Sequence, residues 1–554
     1  MGYGVSAIMV LIISYPLTAP AEEDPSVAAI RIARKSAAQK QRRLIYNDDG
    51  AMGAPYDTPE EFYKPRLNQV TDTHVDAVFY ATGGSGTLMG AHRSEVGENY
   101  RDAIPADVAD PTARQLRANA LALSELGTDS LALTVDFCHR HGIEAFFSLR
   151  MNDIHDSFAA WELPKWKRTN PQFLLGREEQ FSKYPHDPRK FWTALNWEHP
   201  EVRDIVFGIL EDVCERYNVD GLELDWFRSP LAFPPTLRMQ PVEADHLAIM
   251  TSFMRRTRTM TDRIGARRGR PILIAARLPA SVERCVAVGF DLPTWMEEDL
   301  LDIVVISGGY AASAMAPTIR DMVAVARPFD IPVDPCISAR NLLKEAPSAE
   351  QFEYWRGAAM NAWHAGAAGM YVFNFNPPKR DVRLSEIGNP DAMKGKDKIY
   401  ALDYIIADTC EGDLRPGLVV PDRLPIRIDR DASIAAKLPV GEEIVANAPA
   451  GFFAQPRLRL RISPLAAGDK VAVKLNGRPP DNAQHFEARN EKPAPTRIEY
   501  TPDPATIVAG DNHVQITVSA RRERVAAMEL DHLELVTHYR RTQRQSGDET
   551  DVRE

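Results

Sequence analysis

Two acidic residues stand two positions apart at the end of an apolar run that reads Gly221 to Arg228. If this run is a strand, its period of two sends Leu222 and Leu224 to one face and Glu223 and Asp225 to the other. The two carboxylates are then expected within about 7 Å of each other. Neighbouring carboxyl groups repel when both are charged, so a shared proton or a nearby cation must move their pKa values apart.

Paired carboxyl groups of this kind perform glycoside hydrolysis, in which one group attacks or activates water while another donates a proton. Asp225 is therefore a candidate nucleophile or general acid. A second interpretation stays open: Glu223 is a structural acid neutralised by an inward arginine, Arg150 or Arg277, and Asp225 alone reacts. The nucleophile and the proton donor must flank the sugar ring, which favours a partner on another strand.

Two further acids are the leading candidates for that partner. Asp153 lies in the segment Arg150 to Asp156, which is dense in groups able to bind sugar hydroxyls or transfer protons. Asp334 ends another apolar run, but it precedes Pro335, and such a pair is also a common way to end a strand. The alternative for the segment from Arg150 is a solvated loop. The predicted catalytic set is Asp225, Glu223, Asp153 and Asp334.

The other residues predicted to bind substrate are polar groups after apolar runs, or aromatic rings able to stack on a sugar face. Some tryptophans belong to the core instead, since Trp355 and Trp363 stand at helical spacing. The predicted substrate-binding set is Asp48, Arg150, Asn152, His155, Asp156, Trp197, Trp226, Arg277, Tyr310 and Asn374. Packing is the alternative role for Tyr310.

A metal site is the alternative from a different class of chemistry. Ligand atoms are present on Asp153, His155, Asp156, His199 and Asp225. No H-x-H or H-E-x-x-H spacing joins them, and such spacing is what sequence-level metal motifs require. We therefore expect neither a metal nor another cofactor.

Eight short apolar runs, each followed by helix-length sequence, must position these groups. Helical spacing is clearest from Pro200 to Asn218. Eight alternations predict a closed (β/α)₈ barrel, whose reactive groups lie at the carboxyl ends of the strands. A doubly wound open sheet is less favoured because no Gly-rich turn follows the first run. The runs are Leu44 to Asp49, Val75 to Gly83, Ile143 to Asn152, Gly221 to Arg228, Pro271 to Leu278, Asp302 to Gly309, Ile331 to Ser338 and Gly369 to Asn376.

The barrel is expected to span residues 44–411, with other segments on both sides. Residues 1–21 resemble a signal peptide, with an apolar block and the site Ala19-Pro20-Ala21. A membrane anchor or a misassigned start is the alternative. Residues 22–43 are predicted to form a helical lead-in and residues 542–554 a disordered tail.

Residues 412–541 lose the helical period and are predicted to form a small β-sandwich. This segment is expected to brace the barrel, or a partner subunit, rather than to bind sugar, because no aromatic platform stands out in it. Its predicted strands are Arg457 to Ile462, Lys470 to Leu475, Thr496 to Tyr500, His513 to Val518 and Leu533 to Val536.

Charge and cysteine content exclude several classes of function. The net charge of −11 provides no positive field for a phosphate backbone, so nucleic acid is not an expected partner. The 5 cysteines show no C-x-x-C spacing, which argues against a zinc knuckle or a dense disulfide frame. No later apolar stretch reaches the roughly 20 residues that span a bilayer, so no stable membrane insertion is expected after the leader is removed.

The residues from Asn196 to Pro230 resemble a known family. The stretch beginning His199-Pro200-Glu201, the amphipathic helix and the strand ending Asp225-Trp226-Phe227-Arg228 are similar to the barrel enzymes grouped as family-10-like or hypothetical glycosyl hydrolases. This resemblance implies a catalytic acid at Asp225. A looser similarity links the strand to family 18 chitinases, but Phe227 stands where their proton-donating Glu is expected, which argues against substrate-assisted chemistry.

These observations together predict a secreted or periplasmic glycosidase that acts on an extracellular poly- or oligosaccharide. The alternatives are a non-catalytic carbohydrate-binding barrel and a metal-dependent hydrolase or lyase on the same scaffold. A homo-oligomer is compatible with the sequence.

Overall fold

A computed structural model of the chain describes residues 24–50, 55–83, 87–180, 191–238, 240–307, 316–338, 350–373, 375, 380–402, 424–429, 432–465, 467–480, 486–487, 494–519 and 528–542. Every structural statement below concerns these residues. The proposed leader, residues 1–21, and nearly all of the proposed tail lie outside them.

Eight parallel strands close into a barrel, as the alternating pattern predicted. Each pairs with two neighbours, and the first strand closes the ring against the eighth. The (β/α)₈ prediction is thereby confirmed and the open sheet is excluded. We call the carboxyl ends of these strands the mouth. In chain order they are β1 (Leu44–Asp48), β2 (Val75–Tyr80), β3 (Glu144–Arg150), β4 (Gly221–Asp225), β5 (Leu273–Pro279), β6 (Ile303–Ser307), β7 (Val333–Ser338) and β8 (Met370–Phe373).

Helices connect the strands and cover the outside of the barrel. The helix before β4 begins with Pro200, whose missing N–H costs nothing at a first helical turn, and buries Val206, Leu210 and Val213. The helices are Pro25–Ala38, Pro59–Tyr63, Tyr100–Ala103, Pro111–Glu125, Ser130–Arg140, Lys165–Thr169, Pro200–Arg216, Pro234–Leu237, Ala244–Arg268, Val282–Val288, Leu292–Glu297, Ala316–Ala326, Gln351–His364, Arg383–Glu386 and Pro390–Met393.

The lower barrel is filled with apolar side chains. Phe79 and Phe146 stack with ring centroids 4.4 Å apart, and Tyr371 meets Phe79 edge-on at 5.9 Å. These rings belong to an interior cluster that also holds Ile45 and Val305. Because this plug of side chains is tightly packed, a substrate has to bind at the levels above it.

After the barrel, the chain forms two antiparallel sheets. One joins β9 (Lys398–Ala401), β17 (Met528–Arg541), β12 (Phe452–Leu465) and β15 (Ala494–Tyr500) in that order, with β10 (Ile426–Ile428) also on β17. The other joins β11 (Ser433–Val440), β16 (Gly510–Ser519), β13 (Lys470–Leu475) and β14 (Phe486–Glu487). All five strands predicted for this region fall within β12, β13, β15, β16 and β17.

These sheets pack on the last long helix of the barrel, Gln351–His364. A Cβ at Gly357 would lie 2.0 Å from the carbonyl oxygen of Ile399, so β9 can approach this closely only because residue 357 is glycine. Asn361 also donates from Nδ2 to the carbonyl of Pro439 at 3.2 Å. Because β9 pairs with β17, the second unit begins before residue 412, where the sequence pattern had placed its start.

Among the described helices, none combines the length with the apolar character needed to cross a lipid bilayer.

Gly221 is required at the start of β4 by the plug beneath the mouth. A Cβ there would lie 2.2 Å from a ring carbon of Phe146 and 2.8 Å from the carbonyl oxygen of Leu273. We expect Gly221→Ala to lower the free energy of unfolding by about 1–3 kcal/mol through overpacking. Urea unfolding followed by tryptophan fluorescence measures this loss.

The matched control is Gly97→Ala, because the nearest atoms to a Cβ at that position are 3.4 Å away or farther. Gly97→Ala should unfold near the wild-type midpoint. Equal unfolding free energies for the two variants would show that the Phe146 ring can move aside without loss of stability.

Candidate active site

Asp225 is the last residue of β4 and is held at the mouth by an arginine of the next strand. Nη1 of Arg277 lies 3.1 Å and 3.3 Å from its two carboxylate oxygens, and the N–H of Phe227 donates to Oδ1 at 3.1 Å. Asp225 faces the barrel interior, as the strand period predicted, and is only 2% exposed. The charged group is therefore anchored and nearly enclosed.

Arg277 is in turn fixed by contacts on its other sides. Its Nε donates to the Ser307 hydroxyl at 3.2 Å, and its guanidinium carbon lies 4.2 Å from the ring centroid of Phe373. Cation–π contact of this kind is strong when the cation is desolvated, as Arg277 is. The arginine thus links β4, β5, β6 and β8 at one level.

Glu223 lies one inward position deeper on β4 and is fully buried. Burial and the neighbouring Asp225 raise the pKa of Glu223 to about 8, although the hydroxyls of Ser148 and Tyr371 and the charge of Arg277 act in the other direction. Among the described residues, neither of its oxygens has a hydrogen-bond partner of normal geometry. Glu223 is accordingly a protonated acid at neutral pH, and the arginine pairs with Asp225.

A second polar group lies beside β3. Arg150 binds Oδ2 of Asp153 at 3.0 Å and Oδ1 of Asp49 at 2.8 Å. Oδ1 of Asp153 lies 2.5 Å from Nδ1 of His155. Although burial acts to raise it, His155 and Arg150 hold the pKa of Asp153 well below its usual range. Asp153 is therefore ionised and has no proton to donate.

Of the two aspartates at the end of the first predicted run, Asp49 and not Asp48 contacts Arg150. Asp48 shares the outward parity of Tyr46 and pairs with Arg66, so it does not face the mouth. Arg150 and then Arg228 lower the pKa of Asp49 to about 2 against the effect of burial. Asp49 has the parity of Ile45, which faces the barrel interior, and Asp48 has the opposite parity.

Asp334 was predicted to oppose Asp225, and the structure places it at the other end of the barrel. It is the second residue of β7, and a Cβ on Gly369, just before β8, would lie 2.8 Å from its Oδ1. Burial raises the pKa of Asp334 to about 7, with Arg42 as the charge that lowers it. Four residues separate it from Ser338, the level of the mouth, or about 13 Å along the strand.

Asn152 and Asp156 hold the long segment after β3 in place. The side chain of Asn152 accepts from the N–H of Leu195 at 2.7 Å and donates to the carbonyl of Leu231. Asp156 binds Nζ of Lys167 at 2.6 Å, with both side chains fully buried. The polar side-chain atoms predicted to bind substrate are therefore already hydrogen-bonded within the protein. Asn152 and Asp156 thus stabilise the fold.

Trp197 and Trp226 belong to the core. Their ring centroids lie 4.8 Å apart and both rings pack against Phe253, leaving 0% and 2% of the two residues exposed. Neither can stack on a sugar in this structure. The aromatic rings near the Arg277 guanidinium are those of Phe373, Tyr371 and Phe227, at 4.2, 5.6 and 5.9 Å from its carbon. Phe373 and Tyr371 lie on the inward face of β8, which the strand period could have indicated.

Two predicted binding residues, Tyr310 and Asn374, lie outside the described residues. Within the part of the chain that is described, no group of three or more His, Cys, Asp or Glu side chains is arranged to hold a metal ion. The groups that the structure brings together, which we call the mouth cluster, are Asp49, Arg150, Asp153, Asp225, Arg228 and Arg277.

Residues 111–234 match the model of a family described as "Glycosyl hydrolase-like 10". This match confirms the resemblance first seen from Asn196 to Pro230, and it includes β3, β4 and the segment between them. A comparison with curated proteins found no match.

Several solved structures resemble the chain at low identity. The PgaB (BpsB) glycoside hydrolase domain from Bordetella bronchiseptica is 13% identical over 60% of this chain and 93% of that one, with a TM-score of 0.35. Alpha-L-fucosidase isoenzyme 2 from Paenibacillus thiaminolyticus is 13% identical over 64% and 49%, with a TM-score of 0.40. A glycoside hydrolase family 18 N-acetylglucosaminidase from Paenibacillus barengoltzii is 11% identical over 62% and 98%, with a TM-score of 0.32. Scores at this level say nothing about the role of any residue.

The protonated state of Glu223 has a consequence for stability. Because its pKa is raised from 4.5 to about 8 in the folded chain, the stabilising contribution is complete below pH about 4.5 and is lost as the pH rises through about 8. Glu223→Gln keeps a neutral side chain and removes this titration. We expect wild type to lose up to about 1.4 kcal/mol of unfolding free energy per pH unit relative to the variant in this window.

Urea unfolding at several pH values between about 5 and 8 measures the difference. Asp334→Asn is the matched variant, because Asp334 is another buried acid with a raised pKa and lies far from the mouth. It should reduce the pH dependence of the unfolding free energy independently of Glu223. Parallel curves for wild type and Glu223→Gln would show that Glu223 is not protonated in the folded protein.

Proposed function

We propose that the chain is a glycoside hydrolase that acts on an extracellular poly- or oligosaccharide, with Asp225 as its catalytic carboxylate. The observation that carries the proposal is the position of Asp225 at the carboxyl end of β4, where barrel enzymes hold their reactive groups. It is supported by the location of Asp225 inside the segment that matches a glycosyl hydrolase-like family.

Asp225 is suited to act as the charged partner in this chemistry. Arg277 pairs with Asp225, and a carboxylate can attack the anomeric carbon or stabilise the positive charge that develops there. A proton donor has to be an acid that still holds its proton. Asp225 is accordingly assigned the role of nucleophile or stabiliser, and the general-acid role falls to another group.

Glu223 and the arginines tune that carboxylate in the proposed mechanism. Because Glu223 is protonated, it adds no second negative charge beneath Asp225. Arg277 holds the carboxylate in place, so little reorganisation is needed as charge develops in the transition state. Arg150 takes no part in this pair and instead fixes Asp153.

Export to the periplasm or the medium is part of the same proposal. The leader-like residues 1–21 motivate it, because a polysaccharide too large to enter a cell has to be degraded outside.

A carbohydrate-binding barrel without catalysis is the second candidate function. The observation that favours it is the 2% exposure of Asp225 and the absence of a protonated acid facing it across the mouth among the described residues. In that case the carboxylate would only accept hydrogen bonds from a ligand.

Asp225→Asn separates the two functions. For a hydrolase, removal of the nucleophilic charge should lower kcat by at least about 100-fold, while the amide still accepts and donates hydrogen bonds and sugar binding persists. Reducing-end release from a panel of neutral and amino polysaccharides measures turnover, and affinity electrophoresis in the same polysaccharides measures binding.

Asp334→Asn is the control, because it makes the same change in a buried acid at the far end of the barrel and should leave turnover at the wild-type level. Full hydrolysis by Asp225→Asn would remove Asp225 from the mechanism. Binding without hydrolysis by the wild type would support the second candidate, and an unsaturated product that absorbs in the ultraviolet would indicate a lyase.

A further inference from the structure

The proposed hydrolase needs a proton donor, and the acids first considered for this role are unsuitable. Asp334 lies at the opposite end of the barrel. Asp153 is fully buried and ionised between Arg150 and His155. Glu223 carries a proton but lies below Asp225 on the same strand, at 0% exposure. A general acid must lie within reach of the glycosidic oxygen while the sugar is bound at the nucleophile.

His155 combines a proton-bearing group with access to a ligand. Its side chain is 45% exposed, whereas that of its partner Asp153 is 0% exposed. Asp153 binds it twice through one oxygen, accepting from the ring Nδ1 at 2.5 Å and from the backbone N–H at 2.8 Å. This contact fixes the ring and places the proton of a neutral imidazole on Nδ1, so Nε2 is the nitrogen that exchanges protons with a ligand.

The buried end of this pair is rigid. Asp153 donates its backbone N–H to the hydroxyl of Thr87 at 3.0 Å, and Arg150 grips its second oxygen at 3.0 Å. Lys167 donates to its backbone carbonyl at 3.3 Å. A histidine oriented by so firmly held a carboxylate has the arrangement found in catalytic triads, where the acid positions the imidazole and stabilises its charged form.

The pair also lies beside the strand that carries Asp225. Arg150 and Asp225 are partners in the register of β3 and β4, and the N–H of Met151 donates to the carbonyl of Asp225 at 3.1 Å. His155 follows this contact by only four residues. The donor thus lies in the segment that follows β3, and the carboxylate ends the adjacent strand β4.

We propose that His155 is the general acid and base of the reaction and that Asp153 is its positioning residue; this inference rests on the proposed function. Protonated His155 gives its Nε2 proton to the glycosidic oxygen as the bond from that oxygen to C1 breaks, while a carboxylate oxygen of Asp225 bonds to C1. Neutral His155 then takes a proton from water, whose oxygen attacks C1 and releases Asp225. Both charges return to their starting values.

Charged groups of both signs surround the pair. Asp153 is in direct contact, and the groups that surround Asp153 are the cations Arg150, Arg228 and Lys167 and the acid Asp156. Asp156 is already paired with Lys167, and Arg150 is shared with Asp49. Asp153 is thus the charged group in direct contact with the His155 ring.

The test compares leaving groups. General acid catalysis contributes about 10²–10⁴-fold to glycosides with poor leaving groups and little to those whose leaving group needs no proton. We expect His155→Gln to lose at least about 100-fold in kcat/KM on the polysaccharide that wild type degrades, and less than about 10-fold on the 2,4-dinitrophenyl glycoside of the same sugar. Asp225→Asn should lose activity on both substrates.

His139→Gln is the matched control. His139 also contacts an aspartate through a ring nitrogen, Asp220 at 2.8 Å, but this pair lies before β4 at the end of the barrel opposite to the mouth. It should retain wild-type rates on both substrates. Equal losses by His155→Gln on both substrates, or no loss, would overturn the inference while leaving Asp225 in the mechanism; full activity of Asp225→Asn would instead overturn the proposed function.

Asp153→Asn tests the positioning role. Loss of the carboxylate removes the acceptor that holds the His155 ring, so we expect the pH profile of kcat/KM on the polysaccharide to differ from that of wild type. The ¹⁵N spectrum of the histidine ring, which needs no activity, should lose the Nδ1-protonated form in this variant. An unchanged profile and an unchanged ring tautomer would show that Asp153 only supports the fold.

Discussion

The ion pair between Arg277 and Asp225 is the interaction on which the mouth of this barrel depends. Two charges are taken almost completely out of water, and removing either one would leave the other uncompensated at a cost of about 3–5 kcal/mol. Arg277 also reaches Ser307 and Phe373, so the pair connects four strands. Below the pair, the rings of Phe79 and Phe146 stack in the barrel interior.

The strand period predicted which side of the barrel each residue faces, but not how deep it lies. Parity was sufficient for Asp225 and Glu223 because β4 is short and ends at Asp225. Asp334 has the predicted inward parity but lies near the bottom, because it is the second residue of a strand that runs to Ser338. Asp48 has the outward parity of Tyr46, whereas Asp49 has the inward parity of Ile45, so the strand period itself distinguishes the two residues.

Residue type alone was a weaker guide than strand position. Trp197 and Trp226 were assigned to substrate because aromatic rings stack on sugars, yet they fill the space between the barrel and the helix Ala244–Arg268, where large rings bury the most apolar area. The polar segment after β3 was recognised, but its groups play two different roles. Arg150 and His155 both contact Asp153 at the mouth, whereas Asn152 and Asp156 hold the following segment in place. Asn152 satisfies backbone groups of the following loop, which no periodic pattern reveals.

The charges of the mouth cluster balance, and this balance bears on the kind of molecule that it can receive. With Glu223 protonated, the cations Arg150, Arg228 and Arg277 stand against the carboxylates Asp49, Asp153 and Asp225. Such a cluster has strong fields over a few ångströms and a weak one farther away, since its opposite charges cancel with distance. Most of these side chains are buried and Arg150 and Arg277 are already paired with the carboxylates, so the cluster would neither attract nor repel a charged polymer strongly. Uncharged hydroxyl groups, which both donate and accept, are the partners that gain most from a surface of this kind.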